Sequence, residues 1–270
     1  MQLNVARTIS TTDNDIIVLS PTGSGKTLAY LLPSIFQLNP ALDTLQMVVI
    51  VPTRELAKQS VEVLHTMGVP LRGLALYGGR PAMEEHREII KARPQIVFAT
   101  PGRINDHIAK GNINSKGVCL LVIDEFDKCL EMGFNDEMQK VIDKLPSVRR
   151  RILLSATDCE DIPNFVNMHH AERVDYTEPD SCITVSDRIK SFVVKSKEKD
   201  KLETLYRLLL SFGEKSSIVF LNYRNSVERT YGFLQEKGFV CSIYHGGLDQ
   251  RQREDNLYKF SNGSSSVLVS

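Results

Sequence analysis

Six short apolar runs constrain this chain more than any other feature. They lie at residues 16–19, 47–51, 71–76, 96–99, 120–123 and 152–154, are rich in Ile, Val and Leu, and do not alternate with polar residues. A strand with one solvated face alternates, whereas a run that is apolar throughout is a strand buried on both faces. Between the runs lie amphipathic stretches at 27–37, 54–67, 82–91 and 135–144. Strands that must be covered on both sides, separated by helices that can cover them, predict a parallel, doubly wound α/β sheet.

A polar stretch at 177–187, which holds Pro179 and lacks apolar periodicity, breaks the series and reads as a linker. A second series follows: strand 189–194, helix 200–210, strand 217–221, helix 226–236, strand 240–243, helix 250–260, a Ser/Gly loop at 261–266 and the start of a strand at 267–269. The expected organisation is a first domain over 1–176, the linker, and a partial second domain over 188–270. A last strand with no helix after it suggests a truncated unit, with apolar faces and unpaired edges left open around that strand. A first strand only 15 residues in suggests a clipped amino terminus as well.

Composition narrows the class of protein. With 24% charged and 42% hydrophobic residues the chain is an ordinary folded one. No apolar run approaches the roughly 18 residues of a membrane span, and the first ten residues hold no apolar leader core. The five cysteines are scattered without a Cys-x-x-Cys pair, which argues against zinc or a disulfide framework and fits a reducing cytoplasm. His169 and His170 are adjacent, and on a helix they would diverge by about 100°, too far to share a metal. Net charge is zero, yet 19 Lys and Arg face 23 Asp and Glu through Asp180, and 14 face 10 beyond it. Any contact with nucleic acid is therefore expected to be a local groove, not a basic coat.

Two segments carry chemistry. Ser20-Pro21-Thr22-Gly23-Ser24-Gly25-Lys26-Thr27 follows a strand and opens a helix, matching the phosphate-loop pattern except for Ser20 in place of its first Gly. Gly23 and Gly25 allow backbone N–H groups to close around phosphate oxygens, Lys26 can reach the β and γ phosphates, and the Thr27 hydroxyl can hold Mg²⁺. About a hundred residues on, the apolar run 120–123 ends in Asp124-Glu125-Phe126-Asp127. Asp124 is expected to hold the water shell of Mg²⁺, and Glu125 to orient and deprotonate an attacking water. Asp127 is left for a different task. Arg54 and Arg103 follow strands and so belong on the same loop face, although Arg54 taken alone could equally pair with Glu55 at a helix start. Arg149-Arg150-Arg151 lies before a strand, on the opposite face, and reads as a solvated turn.

These segments, together with Pro52-Thr53-Arg54-Glu55-Leu56-Ala57, Gly78-Gly79, Thr100-Pro101-Gly102-Arg103 and Ser155-Ala156-Thr157, resemble the DEAD-box family of ATP-dependent RNA helicases. The resemblance continues through Ile218-Val219-Phe220, His245-Gly246, Gln250 and Arg253. It implies a RecA-like doubly wound domain followed by a partial second RecA-like domain, closing on ATP, Mg²⁺ and single-stranded or short duplex RNA read by its backbone. The nucleotide would lie on Gln2, Thr22, Gly23, Ser24, Gly25, Lys26 and Thr27, with Lys26, Asp124 and Glu125 catalytic and Mg²⁺ on Thr27 and Asp124, partly through water. Asp127, Ser155 and Thr157 would couple the acidic loop to the rest. Pro52, Thr53, Arg54, Gly79, Thr100, Arg103, Gln250 and Arg253 would face RNA. The chain departs from the family in carrying Phe126 where the family has Ala, and a bulky ring must find space there. It also ends before the family's arginine-finger block, so nucleotide binding is expected to exceed turnover. A DNA-directed ATPase of the same superfamily and a non-catalytic ATP- or RNA-binding module are the alternatives.

Overall fold

The computed structural model describes residues 1–158, 166–168, 170–177, 189–196 and 199–270. Its contacts divide the chain into two units, Met1–Arg188 and Ile189–Ser270. All but one residue of the expected linker lies outside the described residues.

The first unit holds α1 (Gln2–Thr11), β1 (Ile16–Leu19), α2 (Lys26–Ile35), β2 (Met47–Ile50), α3 (Arg54–Thr66), β3 (Gly73–Leu76) and α4 (Ala82–Ala92). It continues with β4 (Ile96–Ala99), α5 (Pro101–Ala109), β5 (Leu120–Ile123), α6 (Phe126–Glu131), α7 (Asn135–Asp143), β6 (Arg150–Ser155) and β7 (Glu172–Asp175). The seven strands are all parallel, in the order β3-β4-β2-β5-β6-β1-β7.

The non-alternating apolar runs have a direct structural cause. In β1, Ile16 and Val18 pack into one core while Ile17 and Leu19 pack into the other. In β5, Leu120 and Val122 divide from Leu121 and Ile123 in the same way. One core takes Val5 and Ile9 of α1, Tyr30, Leu31 and Ile35 of α2, and Ala57 and Leu64 of α3. The other takes Ile89 of α4, Ile104 of α5, Phe126 and Cys129 of α6, and Met138 and Val141 of α7. Both sheet faces are thus dry, as a parallel sheet requires.

Two features here depart from expectation. β7 is an edge strand paired only with β1, and its Glu-Arg-Val-Asp sequence is largely exposed, so no apolar run announces it. Arg150 is no part of a solvated turn: it is the first residue of β6, 6% exposed, and its guanidinium donates to the carbonyls of Ile9 (2.7 Å) and Asn14 (3.0 Å). Those bonds fasten the carboxyl end of α1 to the sheet. Its neighbour Arg151 lies within 3.8 Å of Asp15, and only Arg149 is exposed.

The second unit holds α8 (Leu202–Phe212), β8 (Ser217–Val219), α9 (Arg224–Glu236), β9 (Cys241–Ile243), α10 (Gln250–Ser261) and β10 (Val267–Val269), with a parallel sheet ordered β8-β10-β9. The expected strand at 189–194 does not form. Phe192 and Val193 are 83% and 91% exposed, and without a ladder partner an apolar run stays irregular. The strand at 267–269 is not left open at an edge. It is the central strand, buried throughout, and packs with Leu209, Val227 and Leu234. Exposed apolar side chains lie instead at Ile218, Phe220 and Val240.

Candidate functional site

Because the strands are parallel, every loop that follows a strand emerges at one end of the sheet. The order β5-β6-β1 places three of the sequence blocks side by side: the acidic loop after β5, the Ser-Ala-Thr loop after β6, and the phosphate-type loop after β1. This is the carboxyl end, where open α/β sheets gather their ligands.

The loop after β1 is held by its own polar groups. The Ser20 hydroxyl bonds to that of Ser24 at 2.8 Å, and the Ser20 N–H donates to Ser155 O of β6 at 2.9 Å. Ser20 therefore fastens the loop to itself and to the neighbouring strand, which gives a serine at this position a purpose. Gly23 and Gly25 have φ of 77° and 83°, the left-handed region that glycine enters without strain, and Gly25 is the N-cap of α2. Lys26, 6% exposed, donates to the carbonyls of Ser20 (2.8 Å) and Pro21 (3.0 Å). Burial lowers its pKa, against the attraction of Asp124, Glu125 and Asp127. The Gln2 amide donates to Gly25 O at 3.3 Å, and a Cβ at Gly25 would run into that side chain. Gln2 thus reaches the loop, carried there by a helix that the sequence did not announce.

The acidic loop is the most strained part of the site. Glu125 adopts φ 50°, uncommon for a residue with a side chain, and its N–H donates to Asp124 Oδ1 at 2.9 Å. Asp124 is 2% exposed, and burial raises its pKa to about 6, with Lys26 pulling the other way. A buried carboxylate with a raised pKa lacks a full countercharge, which is what a divalent cation supplies. The donors available to such an ion, the Asp124 carboxylate and the Thr27 hydroxyl, are the hard oxygens that suit Mg²⁺. Among the described residues no three His, Cys, Asp or Glu side chains are grouped to hold a metal, so an ion here depends on phosphate oxygens and water for the rest of its shell. Glu125 lies 3.2 Å from Lys128 one turn on.

Phe126 finds its space in the core. It is the first residue of α6, 1% exposed, in the cluster with Ile123, Cys129, Met138 and Leu153. Asp127 accepts from the Ala156 N–H (3.3 Å) and the Thr157 hydroxyl (3.4 Å), while the Ser155 hydroxyl turns to Thr157 O at 2.6 Å. Of the Ser155 and Thr157 hydroxyls, only that of Thr157 reaches Asp127. The Asp127 Oδ1 atom is buried without a partner.

The residues expected to face RNA in the first unit sit on the same end. Thr53 caps α3 by accepting from Leu56 N–H at 3.2 Å, and Pro52 beside it is buried. Arg54 packs on Gly78-Gly79, where a Cβ at Gly79 (φ 95°) would collide with its guanidinium. Thr100 is the N-cap of α5, and Arg103, one turn in, is held by Glu85 and by Arg80 O. In the second unit Gln250 and Arg253 open α10, which follows β9. Gln250 donates to Glu254, and Arg253 donates to Gly246 O at 2.8 Å. Sequence reasoning missed Glu85 and His107. Both are wholly buried, and neither belongs to a block with a recognisable pattern.

A phosphate-type loop and a carboxylate loop on nearby parallel strands, with a third loop bonded to both, define a P-loop nucleotide-binding α/β protein. The chain matches the DEAD/DEAH box helicase family over residues 1–164 and the helicase conserved C-terminal domain over 200–270. It belongs to the DEAD/DEAH box helicase family. It is 34% identical over 257 residues to the DEAD-box ATP-dependent RNA helicase RhpA of Helicobacter pylori, covering 94% of this chain and 52% of that one. It is 36% identical over 265 residues to the DEAD-box ATP-dependent RNA helicase CshA of Bacillus subtilis, covering 95% and 52%. The chain spans about half the length of these curated relatives. Among solved structures it is similar to Dbp5 of S. cerevisiae bound to RNA and ADP BeF3, at a TM-score of 0.82 and 25% identity, covering 99% of this chain and 68% of that one.

Proposed function

We propose that this chain is the nucleotide-binding part of an ATP-dependent RNA helicase or RNA-remodelling ATPase, with a first domain over 1–176, a linker over 177–187 and a second-domain segment over 188–270. The observation that carries the proposal is the joining of three loops on adjacent strand ends, because the Ser-Ala-Thr loop bonds both to the phosphate-type loop, through Ser155 O and the Ser20 N–H, and to the acidic loop, through Thr157 and Asp127.

ATP would lie with its phosphates over Gly23–Thr27 and its base toward Gln2. Lys26 would exchange the two loop carbonyls it now holds for β and γ phosphate oxygens. Mg²⁺ would be held by Thr27, Asp124, phosphate and water; when bound it supplies charge stabilisation at the transferring phosphate. Glu125 would orient the attacking water and accept its proton, released from Lys128 for that purpose. A change at Glu125 is transmitted through the short helix start to Asp127, and from there to Thr157. In the first unit RNA phosphates would meet Pro52, Thr53, Arg54, Gly79, Thr100 and Arg103, and in the second unit Gln250 and Arg253, without base selection. The relatives are named RNA helicases, and the Pro-Thr-Arg-Glu-Leu-Ala and Thr-Pro-Gly-Arg blocks favour RNA over a DNA substrate. No helix among the described residues is long and apolar enough to cross a membrane, and scattered free cysteines such as Cys119, Cys129 and Cys241 suit a reducing cytoplasm.

Titration calorimetry with ATP and Mg²⁺ tests the nucleotide site: the unaltered chain binds and Lys26→Ala does not. Equal affinity in both refutes the assignment. Competition between matched single strands tests the substrate: RNA displaces a labelled RNA, and matched DNA does so far more weakly.

A further inference from the structure

We infer that Glu85 is a positioning residue for the nucleic-acid face: one buried carboxylate fixes both the Arg103 guanidinium and the loop that carries Gly78 and Gly79. The inference rests on the reading of Arg103 and Gly79 as phosphate contacts.

Glu85 lies in the first two turns of α4 and is 0% exposed. Its Oε1 accepts from the Tyr77 N–H at 3.2 Å, directly before Gly78. Its Oε2 accepts from Arg103 Nε and pairs with His107 Nε2 at 2.9 Å. Three donors therefore converge on one carboxylate from two elements: the backbone just past β3, and two successive turns of α5. The far nitrogen of the imidazole, Nδ1, lies 3.1 Å from the Asn112 amide nitrogen. A neutral ring with its proton on Nε2 satisfies both contacts. Burial pushes the Glu85 carboxyl up, but the bonds from His107, Arg103 and Tyr77 outweigh it and hold the group below the usual carboxylate range.

The arrangement leaves Arg103 half engaged. Its Nε is taken by Glu85, and its Nη2 donates to Arg80 O at 2.7 Å. Nη1 has only Asp106, at 3.9 Å. A guanidinium clamped along its Nε–Nη2 edge has lost its rotamer freedom and presents its Nη1–Nη2 edge, the fork that meets phosphate. The side chain remains 14% exposed, so the presented edge is reachable. The carboxylate matters as a carboxylate. An amide at this position would turn its NH2 toward either the Tyr77 N–H or the Arg103 and His107 donors, setting donor against donor.

The test uses the 270-residue chain, a fluorescently labelled single-stranded polyuridine RNA, and anisotropy across a salt series. Three variants are compared: Glu85→Gln, Arg103→Ala, and the double variant Glu85→Gln/Arg103→Ala, which removes both charges and keeps the site neutral should Glu85→Gln fail to fold. Melting curves and ATP affinity without RNA serve as folding controls. Arg103→Ala should weaken RNA roughly tenfold and flatten the dependence of log affinity on log salt by about 0.7, the loss of one phosphate contact on a single strand. Glu85→Gln should produce the same flattening, although it removes no cation, and leave ATP affinity unchanged. The double variant should be no weaker than Arg103→Ala alone, because the two residues act as one unit.

A Glu85→Gln variant that folds, binds ATP and keeps the full salt slope overturns the proposal. So does a double variant clearly weaker than Arg103→Ala alone, which is also the deciding result if Glu85→Gln does not fold. If Arg103→Ala itself leaves RNA affinity and slope unchanged, it is the underlying reading of the RNA face that fails.

Discussion

Asp124 should make this protein less stable than it would be without that charge. Its carboxyl titrates near 6 in the folded chain against an ordinary 3.8, with burial as the main cause. The folded state thus holds the proton about 2 pH units more tightly than the unfolded chain, and at about 1.4 kcal/mol for each, keeping Asp124 ionised at neutral pH costs ~3 kcal/mol. The sign follows from proton counts. Below pH 3.8 both states hold the proton and there is no penalty; between 3.8 and about 6 the folded state alone keeps it, so this group's contribution falls as pH rises; above about 6 the penalty is complete. Asp124→Asn removes the charge and keeps the Oδ1 that accepts the Glu125 N–H. Its buried NH2 needs an acceptor, at a cost on the order of 1 kcal/mol, leaving a gain of ~2 kcal/mol. For a unit of this size that is an increase in Tm of roughly 4–8 °C. The assay is calorimetric melting of both proteins without ligand, near neutral pH and again at about pH 4.5, where the gain should shrink because the native aspartate is itself protonated. The same variant should lose Mg²⁺-dependent nucleotide binding, so stability and function move in opposite directions. A variant less stable at neutral pH, or an equal gain at both pH values, refutes the reasoning.

Other outcomes follow from the same geometry. Glu125→Gln keeps shape and nucleotide affinity but cannot accept a proton, so in a context that supports turnover, phosphate release should fall by roughly 10²-fold or more; an unchanged rate removes Glu125 from the mechanism. Phe126→Ala empties a fully buried site beside Cys129 and Met138 and should cost about 3–5 kcal/mol by denaturant unfolding. Arg150→Met removes the charged bonds to Ile9 O and Asn14 O, should lower stability by about 1.5–3 kcal/mol, and should speed amide exchange in α1 before any other helix.

Much of the fold could be read from the chain because both sheet faces are dry. Ile16–Leu19, Ile96–Ala99 and Leu120–Ile123 coincide with their apolar runs residue for residue. The features that escaped are those whose structure comes from tertiary contact. β7 is polar and exists because β1 offers it a ladder. α1 gives few apolar cues and is fixed by Arg150 and Gln37, both bonded to Ile9 O. The run at 189–194 has the composition of a strand, and no strand among the described residues pairs with it. In the candidate site, spacing singled out residues with a local pattern, Lys26 and Asp124, and the family resemblance added Asp127. It could not find Glu85, whose importance lies in three donors brought from elsewhere in the sequence.

The single direction of the sheet also gives an experimenter a free hand at one end of the molecule. Loops that precede strands open away from the phosphate-type loop, separated from it by a strand of about 13 Å. Ala41 lies in such a loop, before β2, exposed and bonded only through its backbone N–H to Asn39. A thiol introduced there could carry a fluorophore once Cys119, Cys159, Cys182 and Cys241 are replaced by serine, with the buried Cys129 kept. A dye so attached would report on tumbling and complex formation from the quiet end of the sheet, leaving the chemistry at the other end undisturbed.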